Sequence, residues 1–392
     1  MTDTQQAVCA LLRSALFDVP LALPEHPDWA QICRELEFQT VLSLPADLMD
    51  KLDMPLEIRD GWRRKHMGQV YQGYRNVAEQ DALSELFGKH GVSYVIVKGT
   101  AAAMYYPEPA YRSMGDVDAI VAEKDYAAAQ ELLRAHGYEE KSKGAQSRDC
   151  AYKRYGVDFE IHQRFSYGSS ERDRRLDAMI AEAIKRRETY QTQEGAYEGL
   201  PHRENGIVLL EHINQHLEAG LGLRQIVDWM MYVSRCLHDD AWPAFRDEAM
   251  RVGLHELALV VTKMCQMHLG LPRKGITWCD AADGELCDQL LEYLFQSGNF
   301  GYKDTGSSAA VNALSRSRDG LFRNLQRSGE RNWKLLKTYP WLRPFAWLYQ
   351  VFRYARKGLA RKNPIRSLKS DLERSKKLND MLTRLGATRH GK

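Results

Sequence analysis

The chain has 392 residues, 44% hydrophobic and 27% charged, with 28 Gly and 13 Pro; that composition excludes a disordered polymer, a collagen and a small disulfide scaffold, and the length suits two or three domains. The formal net charge of +3 hides an asymmetry: residues 312–392 carry 21 Lys and Arg against 5 Asp and Glu, leaving 34 against 47 elsewhere. An acidic body with a basic tail predicts an anionic partner at the tail or mutual neutralisation within the fold.

The first ninety residues read as helical. Pro24 and Pro27 bracket a turn before an amphipathic stretch at Trp29–Glu37. A long helix is expected from Leu56 to Lys89, with Trp62, Val70, Tyr74, Val77, Leu83, Leu86 and Phe87 near three-to-four spacing and His90-Gly91 closing it. The character then changes. Val92–Val97 is a β-branched and aromatic run of strand type. Lys98-Gly99-Thr100 turns into a small-residue helix, Ala101–Tyr106, which Pro107 and Pro109 stop. Val117–Val121 is a second strand, and Lys124–His136 a helix ended by Gly137. Cys150–Tyr155 and Val157–His162 read as a hairpin about Gly156.

Helix dominates again from Arg203 to Phe295, as Glu204–Leu217, Leu223–Leu237, Trp242–Val252, His255–Leu269 and Gly284–Phe295. Gly298–Ser308 is Gly/Ser-rich and reads as a loop. The expected fold is α+β: a small mixed sheet in a core at 91–200, preceded by a helical region at 1–90 and followed by helical regions at 201–300 and 301–392.

The last region is basic and aromatic, with Trp333, Trp341, Phe345, Trp347, Tyr349, Phe352 and Tyr354. These rings suit nucleic-acid stacking, an anionic membrane surface, or plain packing of short helices divided by Pro340, Pro344 and Pro364. The most apolar segment, Trp341–Ala355, is broken by Arg343 and Arg353, so no spanning helix is expected. Asp3 precedes the first apolar run, unlike a secretory leader. Cys9, Cys33, Cys150, Cys236, Cys265, Cys279 and Cys287 contain no C-x-x-C pair. Reduced thiols, no zinc ribbon and a cytoplasmic location follow as expectations.

The strongest chemical signal is Gly115-Asp116-Val117-Asp118-Ala119-Ile120-Val121. Two carboxylates two apart on a strand share a face, repel when buried together, and are reconciled by a divalent cation such as Mg²⁺. An isolated D-x-D also occurs in solvated turns, so its surroundings matter. Upstream, Lys98 and Gly99 at a helix start can hold phosphate, and Arg112 can clamp it bidentately. Downstream, Asp158-Phe159-Glu160-Ile161-His162 alternates, offering a third carboxylate. Three carboxylates around metal opposite a phosphate cradle would activate a hydroxyl and neutralise a leaving pyrophosphate.

The ordered set Val95-Ile96-Val97-Lys98-Gly99, Tyr106-Pro107, Arg112, Gly115-Asp116-Val117-Asp118 and Glu160-Ile161-His162 resembles the uncharacterised nucleotidyltransferase family, within the DNA polymerase beta-like superfamily. Leu209-Leu210-Glu211-His212, His216 and Leu223-Arg224-Gln225-Ile226-Val227-Asp228 resemble its downstream helices. The resemblance spans roughly residues 70–240. It implies Mg²⁺, or Mn²⁺ in its place, on Asp116, Asp118 and Glu160, with Glu160 also a base and Asp158 in reserve. Lys98, Gly99, Thr100 and Arg112 would contact an NTP, ATP among the options; the superfamily's Gly-Ser stands here as Lys98-Gly99-Thr100, where Thr100 can supply the hydroxyl.

His212 and His216 are spaced i, i+4 but lack the glutamate of H-E-x-x-H and a third ligand, so they are expected in a cleft or polar interface, not on zinc. Arg224 and Asp228 suit an i, i+4 pair. His162 either orients a ligand or packs. The expected activity is metal-dependent transfer of a nucleoside monophosphate from an NTP to an unidentified small molecule, sugar, protein or RNA. The alternatives are nucleotide or nucleic-acid binding without catalysis, and a toxin-like transferase acting on tRNA.

Overall fold

The computed structural model describes residues 1–143, 149–193, 195–217, 220–298, 325–326, 329–330, 332–337, 339–359 and 376–386. The chain divides into two compact units, 1–301 with 386–388, and 302–385 with 389–392. Beyond Gly298, the loop expected at Gly298–Ser308 lies outside the described residues, as does much of the basic tail.

In the first unit, α1 (Asp3–Phe17) starts at a capping box between Thr2 and Gln5, and α2 (Trp29–Phe38) at an Asp28 cap. The long helix α3 occupies Leu56–Lys89, as its periodicity predicts, and spans about 50 Å. Gly91, at φ +65°, turns the chain out of it. The sheet follows: β1 (Tyr94–Val97), β2 (Val117–Val121), β3 (Glu139–Lys143), β4 (Asp149–Arg154), β5 (Val157–His162), β6 (Glu188–Gln191) and β7 (Ala196–Gly199). Their order is β3-β4-β5-β2-β1-β7-β6. The β1–β7 and β2–β5 pairs are parallel and the others antiparallel, so the sheet is mixed.

Between β1 and β2 lies α4 (Gly99–Ala103), and α5 (Tyr126–Ala135) follows β2. Sequence reading finds β1, β2, β4 and β5 and misses three strands. β3 reads Glu-Glu-Lys-Ser-Lys and β6 Glu-Thr-Tyr-Gln; both lie at sheet edges, where polar residues remain hydrated and discourage pairing with other chains. β7 has only four residues and begins just past the turn, too short to show a period.

One face of the sheet is apolar. Val117, Ala119, Phe159, Ile161, Tyr152 and Ile96 form a buried cluster with Leu83 and Phe87 of α3 and Ala129 and Leu133 of α5. Each large side chain removed from water there contributes about 1.5–3 kcal/mol. Strand alternation sends Val95, Val97, Asp118, Ile120, Glu160 and His162 to the opposite face. The sheet is thus anchored by one side and carries its chemistry on the other.

The remaining helices are α6 (Glu171–Lys185), α7 (His202–His216), α8 (Leu223–Cys236), α9 (Trp242–Arg251), α10 (His255–Met264), which continues as a π-turn at Cys265–Leu269, and α11 (Gly284–Ser297). α7 and α8 approach closely at Gly206, where a Cβ would stand 2.3 Å from the Tyr232 ring. All seven cysteines are unbridged thiols. Among the described residues no helix is long and apolar enough to cross a membrane. Within the second unit, a 3₁₀ segment at Pro340–Phe345 leads into a helix at Ala346–Leu359, Trp333 stacks on Tyr349 at 5.0 Å, and Trp341 and Phe352 are exposed.

Candidate active site

β1 delivers the first member of the site. Its last residue, Val97, is in register with Asp118 on β2 and shares its face, so continued strand alternation would turn the next side chain, Lys98, to the other face. Lys98 has φ 56° and ψ −127°, a backbone conformation that side chains disfavour, and its Nζ lies 2.7 Å from Asp118 Oδ1. The Phe165 ring centroid is 5.7 Å from the same ammonium.

The parallel register of β2 and β5 delivers the rest. Asp118 is opposite Glu160 and Ile120 is opposite His162. His162 Nε2 lies 3.0 Å from Asp118 Oδ1 and 3.6 Å from Glu160 Oε2. One ligand atom from each of Asp118, Glu160 and His162 can be chosen so that all lie within 4.8 Å of one another. Asp118 and His162 are buried, whereas the Glu160 side chain is 42% exposed and forms the opening of the cluster.

Charge crowding marks these groups. Burial and the neighbouring Asp118 push the carboxyls of both Glu160 and Asp116 upward. Asp118 goes the other way: burial opposes its ionisation, but Lys98 and His162 overcome that and hold it well below the ordinary carboxylate range. Lys98 is raised; burial works against its charge, and Asp118, Asp116 and Glu160 together prevail. The cluster is therefore an anionic site in which one lysine supplies the counter-charge.

The expected residues are distributed unequally. Asp116 feels the field of Asp118 and Lys98 but is outside the close set, because it precedes β2 and strand alternation does not fix its direction. His162 takes the third place in that set. Asp158 is exposed, pairs with Lys141 and is also outside it. Gly99 opens a helix of only five residues, and the Thr100 hydroxyl donates to Gln80 Oε1 at 2.7 Å.

Arg112, expected to clamp phosphate, is paired within the protein. Its Nε and Nη2 donate to the two oxygens of Asp228 at 2.8 and 2.7 Å, in a buried bidentate pair to which the Tyr106 hydroxyl adds a third bond at 2.7 Å. Removing one partner of such a pair costs about 3–5 kcal/mol. Asp228 consequently pairs with Arg112, not with Arg224 as the i, i+4 spacing suggests. Arg224 instead donates from Nη1 to the Ser113 carbonyl at 3.2 Å, its Nε has no hydrogen-bond partner, and Asp116 contributes to its electrostatic surroundings.

His212 is buried; burial, with the charges of Lys98, His216 and Arg224, holds its imidazole well below the ordinary value. It meets His216 edge-on at 4.8 Å. The pair is outside the metal-competent set found among the described residues.

Residues that sequence reasoning overlooks lie on the inner face of α3. Asn76 Nδ2 donates to the Gly115 carbonyl at 2.8 Å and itself accepts from Gln72 at 2.7 Å, while Gln80 holds Thr100. Gln72, Asn76 and Gln80 recur every four residues on a helix that further along turns Leu83 and Phe87 into the core. That amide stripe was the available signal. A cavity of about 390 Å³, lined by Lys65, Gly68 and Gln72 of α3 with Ser113 and Met114, adjoins the loop that carries Asp116.

The donor chemistry fits a divalent cation: two carboxylates and an imidazole whose Nε2 faces both of them. Carboxylate oxygens suit Mg²⁺ or Mn²⁺, and the imidazole favours the softer ion of the two. Fold and site together define an α+β protein whose mixed sheet presents a carboxylate–imidazole centre on one face. The chain belongs to the uncharacterised nucleotidyltransferase family, whose model matches residues 25–270. No curated protein matches it.

Proposed function

We propose that this protein transfers a nucleoside monophosphate from an NTP to an acceptor. The observation that carries the reading is the parallel β2–β5 register, which sets Asp118 against Glu160 within a chain of a nucleotidyltransferase family. For a hydroxyl acceptor, the acceptor oxygen forms a bond to the α-phosphorus. The bridging bond to the β-phosphate breaks, pyrophosphate leaves, and the hydroxyl proton passes to Glu160. That role suits the partly exposed carboxyl whose proton affinity burial and Asp118 already raise.

Asp118 and Glu160 would hold Mg²⁺ or Mn²⁺, with His162 or Asp116 completing the donor set. A cation there neutralises the triphosphate and the developing charge on the pyrophosphate. Lys98, beside Asp118, and Arg224, beside Asp116, are the cations offered to phosphate; Gly99 and Thr100 shape the intervening turn. The cavity next to the Asp116 loop supports an acceptor entering from the side of α3. An RNA or another acidic acceptor suits the basic residues of 312–392.

A second reading, nucleotide binding without transfer, draws on one observation: Asp118 already has a counter-ion in Lys98. Assay of α-labelled NTPs with Mg²⁺ or Mn²⁺ separates the two. The wild type labels an acceptor or releases pyrophosphate, Asp118→Asn abolishes this with the fold intact, Asp116→Asn lowers it, and Glu160→Gln loses about 100-fold or more. Asp158→Asn stays within a few-fold of wild type. Full activity in Asp118→Asn rejects the proposal.

A further inference from the structure

Lys98 is unusual in three independent respects. Its Nζ makes a 2.7 Å charge-assisted hydrogen bond to Asp118 Oδ1, the same oxygen that lies 3.0 Å from His162 Nε2. Its side chain is only 14% exposed. Its backbone is held at φ 56°, where glycine is at ease and a lysine is strained. Ordinary packing does not require a strained lysine at that position, since a glycine would relieve the strain. What the conformation secures is an ammonium against the most buried carboxylate of the site.

That ammonium now supplies the positive charge that a divalent cation on Asp118 would bring. Both cannot share one carboxylate oxygen at full strength: bringing like charges together in a buried site is unfavourable, and each competes for the same lone pairs. Phosphate offers the displaced lysine an equivalent anionic partner without leaving the site.

We infer that Lys98 is a resident counter-ion which occupies Asp118 until metal and nucleotide arrive, and then exchanges that carboxylate for phosphate. The inference rests on the metal and nucleotide reading given above and adds a prediction that reading alone does not make. Lys98 opposes metal binding and favours nucleotide binding, so the protein without nucleotide is guarded against loose metal. The two signs are opposite because the same charge is repelled by one ligand and attracted by the other.

The test uses the full chain. Mn²⁺ is titrated without nucleotide and followed by its paramagnetic signal; the Mn²⁺ complex of an α,β-methylene NTP is then titrated at saturating Mn²⁺. Lys98→Met is expected to bind Mn²⁺ about tenfold more tightly than wild type and the nucleotide analogue about tenfold more weakly. Lys98→Gly, which relieves the backbone, is expected to show the same two signs and guards against misfolding of the Met variant. Equal Mn²⁺ affinity in wild type and a folded variant overturns the inference while leaving the metal site standing. Weaker Mn²⁺ binding in both folded variants also overturns it, by making Lys98 a scaffold of the site. Absence of Mn²⁺ binding in wild type and variants alike overturns the metal reading, and this inference with it.

Discussion

At Asp118 burial drives the carboxyl toward its neutral form, while Lys98 and His162 hold it charged and prevail. The D-x-D spacing made this residue legible from sequence, and the alternating Asp158–His162 run made Glu160 and His162 legible as companions. The partners of the arginines were not legible. Nothing in the spacing distinguishes Asp228 paired with Arg224, four residues away on one helix, from Asp228 paired with Arg112, which the fold brings from the other side. The bidentate geometry of Arg112 engages both oxygens of Asp228, and only the tertiary structure supplies it. His212 gives a test at this scale. Its folded-state imidazole lies well below the ordinary value, for which burial is the first cause. As pH falls through about 6.5, the unfolded chain takes up that proton and the folded chain does not. The stability associated with a neutral His212 is therefore present above that pH and is lost toward acid. Melting temperatures of wild type and His212→Gln between about pH 7.5 and 5.5 should show a shallower acid-side decline in the variant. Parallel profiles would show that His212 takes up its proton in the folded protein.

Strands and helices differ in how plainly they declare themselves. α3 is readable to its ends because thirty-four residues keep a helical period and Gly91 closes it. β1 and β2 are readable because their residues are buried and apolar or β-branched. β3 and β6 are not, since edge strands are polar for reasons of solubility. The β4–β5 hairpin shows the local rules competing. Its turn residues Tyr155 and Gly156 both have positive φ, at 44° and 81°, a pattern that favours Asn-Gly. The tyrosine is 73% exposed and its ring lies 5.0 Å from the Arg154 guanidinium. An exposed cation–π contact contributes about 0.5–1 kcal/mol, whereas a bulky residue in the left-handed region costs about 1–3 kcal/mol. Tyr155→Asn should therefore raise stability by up to about 1 kcal/mol in urea unfolding. A clear loss would show that the ring's contacts outweigh the strain.

Across the whole molecule, the sheet separates two tasks. Its apolar face, packed by α3 and α5, fixes the strand register, and that register places Asp118 against Glu160 on the other face. The same helix α3 reaches back through Asn76 and Gln80 to hold the loops that flank the site. A shift of one residue in β5 would turn Glu160 and His162 away from Asp118, so the fold's energetics and the site's chemistry depend on one alignment. The most direct measurement is a crystal structure with Mn²⁺ and an α,β-methylene NTP, located by the anomalous signal of the metal. Mn²⁺ is expected on Asp118 and Glu160, with Lys98 moved from Asp118 to phosphate. Nucleotide bound with the Lys98–Asp118 bond intact and the metal elsewhere would rule out this arrangement of the site.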